Sequence, residues 1–240
     1  MLVYANLKSK RRKFLALTGL TAKEFQCVLP AFERAYAQRY PATQTLAGTA
    51  RRRIPGGGRR SALDRPEQKL LFALVYLKAY PLQVLLGEVF DLSQSGANAW
   101  IHRLLPVLQQ ALQDLGVSPE RNPQQFARRV QQSREPLDLI IDGTERRRQR
   151  PKNKAKRDEY YSVHKKAHTD KNLVISQVKT TRISFLSQTY RGSVHDKKMA
   201  DTEAIVYPRQ ARLWKDTAFQ SYEPRVAATF QPKKSRGRVS

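Results

Sequence analysis

The stretch that most constrains the fold is Leu137–Glu145, which reads Leu-Asp-Leu-Ile-Ile-Asp-Gly-Thr-Glu. Apart from Asp138 it is a short apolar run that stops at Asp142 with Gly143 behind it. Such a run, bounded by a turn signal, reads as a buried strand. The pattern returns as Arg-Leu-Trp-Lys-Asp-Thr over 212–217, with Asp216 at the strand end. Two strand-end carboxylates point to a metal site that works on phosphates. An Asp before a Gly is also an ordinary turn, and both readings stand at this point.

Charge narrows the choice of partner. The 240 residues hold 45 Lys plus Arg against 20 Asp plus Glu, a formal net charge of +25. Such an excess raises encounter rates with polyanions, of which nucleic acid is the first candidate. The chain has no apolar run long enough to span a bilayer and no signal-peptide core. No membrane partner and a cytoplasmic location are therefore expected. Cys27 is the single cysteine, which excludes an intrachain disulfide and a multi-thiolate zinc site.

In chain order, the expected organisation is an N-terminal helix and basic arm over 1–62, a helix-turn-helix region over 63–116, a linker over 117–136 and a second domain over 137–240. Thr21-Ala-Lys-Glu24 is a capping box that opens a helix, and Pro30 predicts a kink or break in it. Arg51–Arg60 carries three glycines, a proline and five arginines. That composition forbids a stable helix; it suits a solvated linker or an arm laid along a phosphate backbone, with Arg51, Arg52, Arg53, Arg59 and Arg60 as the contacts. Asp64-Arg-Pro-Glu67 reads as a second capping box. A short helix up to Phe90, the turn Asp91-Leu92-Ser93 and a long helix to Asp114 then form a helix-turn-helix or a plain helical pair. In the first case Gln94, Ser95 and Asn98 face base edges in the major groove.

Beyond Leu137 short strands dominate. Arg146–Arg157 is expected as an exposed basic loop, Tyr160–Thr169 as a strand, Asp170-Lys-Asn as a hairpin turn and Leu173–Thr180 as the returning strand. A helix over Lys197–Ala204 precedes a strand at 212–215, parallel to the first. The expected class is α+β: an all-α helix-turn-helix region followed by an incomplete ribonuclease H-like α/β catalytic core. In that order of elements Asp142 and Asp216 lie side by side and suit magnesium or manganese. Arg146, Arg147, Lys165, Lys166 and His168 supply DNA-holding charge. Glu145, His195 and Asp196 are accessory candidates.

Six motifs occur in order: Asp142-Gly-Thr-Glu145, Arg150-Pro-Lys, Tyr160-Tyr-Ser, Lys165-Lys-Ala-His168-Thr169, Gly192-Ser-Val-His-Asp196-Lys and Leu213-Trp-Lys-Asp216-Thr-Ala-Phe-Gln220. As a set they resemble bacterial insertion-sequence transposases of the DDE superfamily endonuclease group, of the insertion-sequence family five type. The resemblance implies a metal-dependent endonuclease and strand transferase acting on double-stranded DNA, both element terminal repeats and target, and a homo-oligomer when intact. It also implies that Asp142 and Asp216 are the first two of three catalytic acids and metal ligands. The family's third acid, a Glu on a later helix in a Tyr-two-Arg-three-Glu pattern, has no counterpart here. The last acidic residue is Glu223, followed by Pro224. The reading is thus of a truncated copy, with a non-catalytic DNA-binding protein that occupies element ends as the alternative.

Overall fold

The computed structural model describes residues 1–45, 48–50, 52, 61–131 and 137–232. They fall into two compact units, Met1–Ser118 and Pro119–Ser240, each with its own core. No helix among the described residues is long and apolar enough to cross a membrane.

The first unit is helical: α1 (Tyr4–Leu7), α2 (Arg11–Thr18), α3 (Ala22–Arg39), α4 (Pro66–Ala79), α5 (Gln83–Phe90) and α6 (Gln94–Asp114). Phe14, Phe25, Phe32, Phe72, Phe90 and Leu104 are fully buried and join these helices in one core. Thr21 caps α3 in a complete capping box with Glu24. Of the kink or break expected at Pro30, the break does not occur: α3 runs unbroken from Ala22 to Arg39. Pro30 faces water, while Phe25, Leu29 and Phe32 hold α3 in the core on either side. The expected box at Asp64 is also corrected. Arg65 is the N-cap and Pro66 takes the first helical position, which puts Glu67 one residue too early to reach back.

Between α5 and α6 the chain turns on Asp91, in the left-handed region at φ 56°, and Ser93 caps α6 by accepting from the Gly96 N–H. Gly87 makes that turn feasible. The Leu92 N–H donates to the Gly87 carbonyl, and a Cβ on Gly87 would lie 2.5 Å from the Leu92 carbonyl oxygen. Gly87→Ala is therefore expected to cost about 1–3 kcal/mol by overpacking backbone against backbone, read as a lowered midpoint in urea unfolding followed by helical circular dichroism.

The second unit holds α7 (Pro123–Gln131), β1 (Asp138–Arg147), α8 (Lys154–Tyr160), β2 (Tyr161–Ser162), β3 (Ala167–Gln177), β4 (Ile183–Leu186), β5 (Tyr190–Arg191), α9 (Asp196–Glu203), β6 (Arg212–Lys215) and β7 (Ala228–Phe230). The sheet order is β2-β3-β1-β6-β7, with β4 and β5 also paired to β3. β1 is antiparallel to β3 and parallel to β6, and β7 is parallel to β6. Leu139, Ile141, Leu173, Ile175, Leu213 and Met199 fill the core beneath it. Within the stretch read as a linker, Phe126 and Val130 of α7 join that same core.

Two expectations about this sheet are corrected. Asp170-Lys-Asn is not a turn: β3 runs straight through it, pairing Asp170, Lys171 and Asn172 with Arg146, Glu145 and Thr144. The strand tolerates three polar residues because each finds a partner. Asp170 pairs with Arg148, Lys171 with Glu145, and Asn172 accepts from Arg146 while donating to the Ser187 and Gln188 carbonyls. The hairpin turn lies instead at Val163–Lys166, where Lys166 takes φ 48°. The basic loop is likewise shorter than expected. β1 extends to Arg147, and α8 begins at Lys154 under an Asn153 cap, which makes Tyr160 helical.

Candidate active site

The parallel register of β1 and β6 ends at Ile141 opposite Lys215. The next residue in each case is an aspartate, Asp142 within β1 and Asp216 just past the end of β6. Alternation sends Leu139, Ile141, Leu213 and Lys215 into the core and leaves Ile140, Asp142, Trp214 and Asp216 on the open face. Asp142 is not at the end of its strand, since β1 continues against β3 to Arg147. It sits where the sheet loses β6 as a neighbour. Asp142 Oδ1 accepts from the Gly143 N–H at 2.8 Å, and Asp216 Oδ1 accepts from the Ala218 N–H at 2.9 Å. Both carboxylates are thus oriented by backbone donors. Beside them the same face forms a cavity of about 990 Å³, lined in part by Ile140, Trp214 and Phe230. The two aromatic rings stack 4.4 Å apart, and both remain partly exposed.

Gly143 has a different role from the turn its dipeptide suggested. It lies within β1, and a Cβ there would come within 2.7 Å of an Asp196 carboxylate oxygen. Asp196 is the first residue of α9, so the glycine allows a third carboxylate to close on the strand beside Asp142. Lys171 holds that carboxylate. Its ammonium lies 3.2 Å from Asp196, 3.3 Å from Glu145 and 3.1 Å from the Val194 carbonyl. Glu145 also accepts from the Thr169 hydroxyl at 2.9 Å. Burial pushes the Glu145 carboxyl up, but bonds from Ser162 and Thr169 together with Lys171 outweigh it and hold the group below its ordinary range. Lys171 escaped the sequence reading because it was assigned to a turn. The signal was the alternation Thr169, Lys171, Leu173, Ile175, four residues buried on one face.

The other expected residues divide clearly. His195 is exposed and caps α9, accepting from the Lys197 N–H. Glu223, itself largely exposed, pairs at 2.8 Å with Lys215, whose side chain is buried on the face of β6 opposite Trp214. Arg147, Lys165 and Lys166 are exposed, whereas Arg146 is tied to Asn172 and His168 stands edge-on to Tyr161. Lys165 is close enough to act on the charge of Asp142. In the first unit Gln94 and Ser95 are exposed, while the Asn98 amide donates to Gln83 at 3.2 Å. Arg52 is exposed; Arg51, Arg53, Arg59 and Arg60 lie outside the described residues.

Desolvation raises the Asp142 carboxyl above its ordinary range. The Gly143 N–H opposes this, the charges of Asp216 and Asp196 add to it, and Lys165 opposes it. A carboxyl whose protonation is raised by neighbouring carboxylates suits a divalent cation, which relieves the repulsion through hard oxygen ligands. The oxygens of Asp142 and Asp216, oriented by backbone donors, are of the hard kind such an ion takes, while among the described residues no three His, Cys, Asp or Glu side chains are grouped to hold one. A raised carboxyl favours the fold at low pH, and that contribution is lost as pH rises through the raised value. Asp142→Asn is therefore expected to raise Tm by about 1–3 °C at neutral pH without metal. The difference should vanish at acid pH and shrink when millimolar magnesium stabilises only the parent; differential scanning calorimetry reads all three.

A basic chain with a helix-turn-helix ahead of a mixed sheet that presents paired aspartates has the make-up of a DNA-binding nuclease. Residues 141–238 match the family described as DDE superfamily endonuclease, and residues 61–114 match the helix-turn-helix of DDE superfamily endonuclease. The two matches support a transposase-type DNA-binding nuclease of the DDE superfamily, a group generally dependent on divalent metal. No curated protein and no solved structure matches the chain.

Proposed function

We propose that this chain is the DNA-handling part of an insertion-sequence transposase of the family five type. In this reading the helix-turn-helix recognises the element's terminal repeats through Gln94 and Ser95. The second unit, an incomplete ribonuclease H-like core, carries two of three catalytic acids. The observation that supports this most is the β1–β6 register, which leaves Asp142 and Asp216 adjacent on one sheet face. The succession of β1, antiparallel β3 and β4, α9 and parallel β6 is the order expected of such a core.

Asp142 and Asp216 would hold magnesium or manganese. When bound, the cation supplies Lewis-acid stabilisation of the attacking and leaving oxygens of a phosphodiester. The remaining work falls to this chain's own groups. The Gly143 and Ala218 N–H groups aim the two carboxylates, Lys171 holds Asp196 against Gly143, and Lys165 with Arg147 and Lys166 draws the phosphate backbone in. No Asp or Glu follows Glu223 in the 240 residues. With two catalytic acids assigned, residues 1–240 should bind DNA but cut it weakly.

The test is binding and nicking of duplexes with and without the element's terminal repeats, in magnesium. Preference for the repeats, lost in Gln94→Ala/Ser95→Ala, with only faint nicking, is the expected result. Strong magnesium-dependent cutting abolished by Asp142→Ala would overturn the incompleteness. Binding indifferent to metal, Asp142→Ala and Asp216→Ala would mark a DNA-binding protein without a metal role, and failure to bind DNA would sink the reading.

A further inference from the structure

A second cleft in the same unit lies apart from the paired aspartates. It measures about 460 Å³ and is lined by Arg150, Lys154, Arg157, Asp158, Tyr161 and His168. That volume falls within the roughly 300–1,000 Å³ typical of small-molecule sites, with room for a single nucleotide. Three cationic side chains face one carboxylate. The Arg157 Nε–H is fully buried and has no hydrogen-bond partner, an orphan donor of a kind folded proteins seldom leave unmatched. Tyr161 is 41% exposed and meets His168 in a T-shaped contact, with ring centroids 5.6 Å apart, so much of the tyrosine ring is reachable from solvent.

The cleft is also preorganised. The carbonyl of Glu159 in α8 accepts from both the backbone N–H and the hydroxyl of Ser193. A Cβ on Gly192 would fall 2.5 Å from the Tyr160 carbonyl and 2.3 Å from the Thr169 hydroxyl, so the turn Gly192-Ser193 that follows β5 packs directly on the end of α8. Arg191 pairs with Glu159, and Arg148, itself paired with Asp170, stacks on the Tyr160 ring at 3.8 Å. The Gly-Ser pair ahead of His195 and Asp196 therefore fixes one wall of this cleft as well as leading into α9.

Guanidinium and ammonium groups around a partly exposed aromatic ring are what a nucleotide requires: phosphate oxygens for the cations and a base for the ring. A fully paired duplex keeps its bases stacked inside, out of reach of such a ring. We infer that this cleft binds one unpaired nucleotide of a DNA strand, its phosphate held by Arg150, Lys154 and Arg157 and its base stacked on Tyr161. The inference rests on the reading of the chain as a DNA-handling protein and names the nucleotide subsite of its second unit.

The experiment uses the full chain in a metal chelator, so that cleavage plays no part. Binding is compared for a blunt duplex and for the same duplex with a short single-stranded tail bearing a fluorescent adenine analogue. The tailed duplex should bind about 10-fold tighter and its fluorescence should be quenched. Tyr161→Ala should abolish both effects, Tyr161→Phe should retain them and Arg157→Gln should weaken the preference, while blunt-duplex affinity changes less than about 2-fold in all three. Equal affinity for the two DNAs, equal losses on both in Tyr161→Ala, or a preference for single-stranded RNA over the tailed duplex would overturn the inference. Failure to bind either DNA would instead remove the functional reading beneath it.

Discussion

Affinity for duplex DNA is expected to fall by about 10³–10⁵-fold between roughly 50 and 200 mM salt, the response of a protein that neutralises some six to ten phosphates. The charge of +25 makes that number of contacts attainable. Much of the acidic complement is occupied internally: Asp138 pairs with Arg212, Asp170 with Arg148, Glu120 with Arg129, and Glu145 and Asp196 share Lys171. Arg147, Lys165 and Lys166 are exposed to solvent. Since each displaced counterion contributes to the slope, Lys165→Ala and Lys166→Ala should each lower its magnitude by about 1 and weaken all sequences alike. Titrations by fluorescence anisotropy at four or more salt concentrations measure this. A slope near zero would mean that the basic surface does not contact phosphate.

The second large effect is on stability. Lys171→Met should destabilise the second unit by about 3–5 kcal/mol, because removing one partner of a buried ion pair leaves uncompensated charge. Here two carboxylates are stranded: the Glu145 and Asp196 side chains are only 9% and 19% exposed. Neutralising them as well, in Lys171→Met/Glu145→Gln/Asp196→Asn, should restore a large part of the loss. A plain cavity effect would leave it unrestored. Urea unfolding followed by Trp214 fluorescence in a Trp100→Phe background confines the signal to this unit. The pH dependence has a definite sign. The Glu145 carboxyl lies below its ordinary range, so its contribution is present above the unfolded carboxyl range and is lost as pH falls through the lowered folded value. In Lys171→Met that acid-side slope should flatten.

How much of this was legible in the sequence depended on the kind of signal. Asp142 and Asp216 could be placed on adjacent parallel strands because an apolar run, a helix and a second short run leave few topologies to choose from. The caps at Thr21 and Ser93 were equally plain, since capping is a local hydrogen-bond pattern written over four residues. Errors came where local chemistry was overruled by partners distant in sequence. Asp170-Lys-Asn has turn composition, yet Arg148, Glu145, Arg146 and the 187–188 carbonyls satisfy it inside a strand. Pro30 was tolerated because of the direction it faces, which propensity does not encode. Gly143 was read as a turn residue, although its use is to let Asp196 approach, a contact between residues far apart in the chain. Lys171 was hidden for the same reason, and its importance appears only once Glu145 and Asp196 are seen around it.

The most direct test of the central claim, that Asp142 and Asp216 together form a divalent-cation site, is iron-directed cleavage of the polypeptide. Ferrous iron replaces magnesium in the folded chain, ascorbate and peroxide are added, and the backbone breaks are mapped by mass spectrometry. Breaks clustered near residues 142 and 216, suppressed by excess magnesium and lost in both Asp142→Asn and Asp216→Asn, are the predicted result. Breaks elsewhere, or a pattern indifferent to both substitutions, would contradict the account.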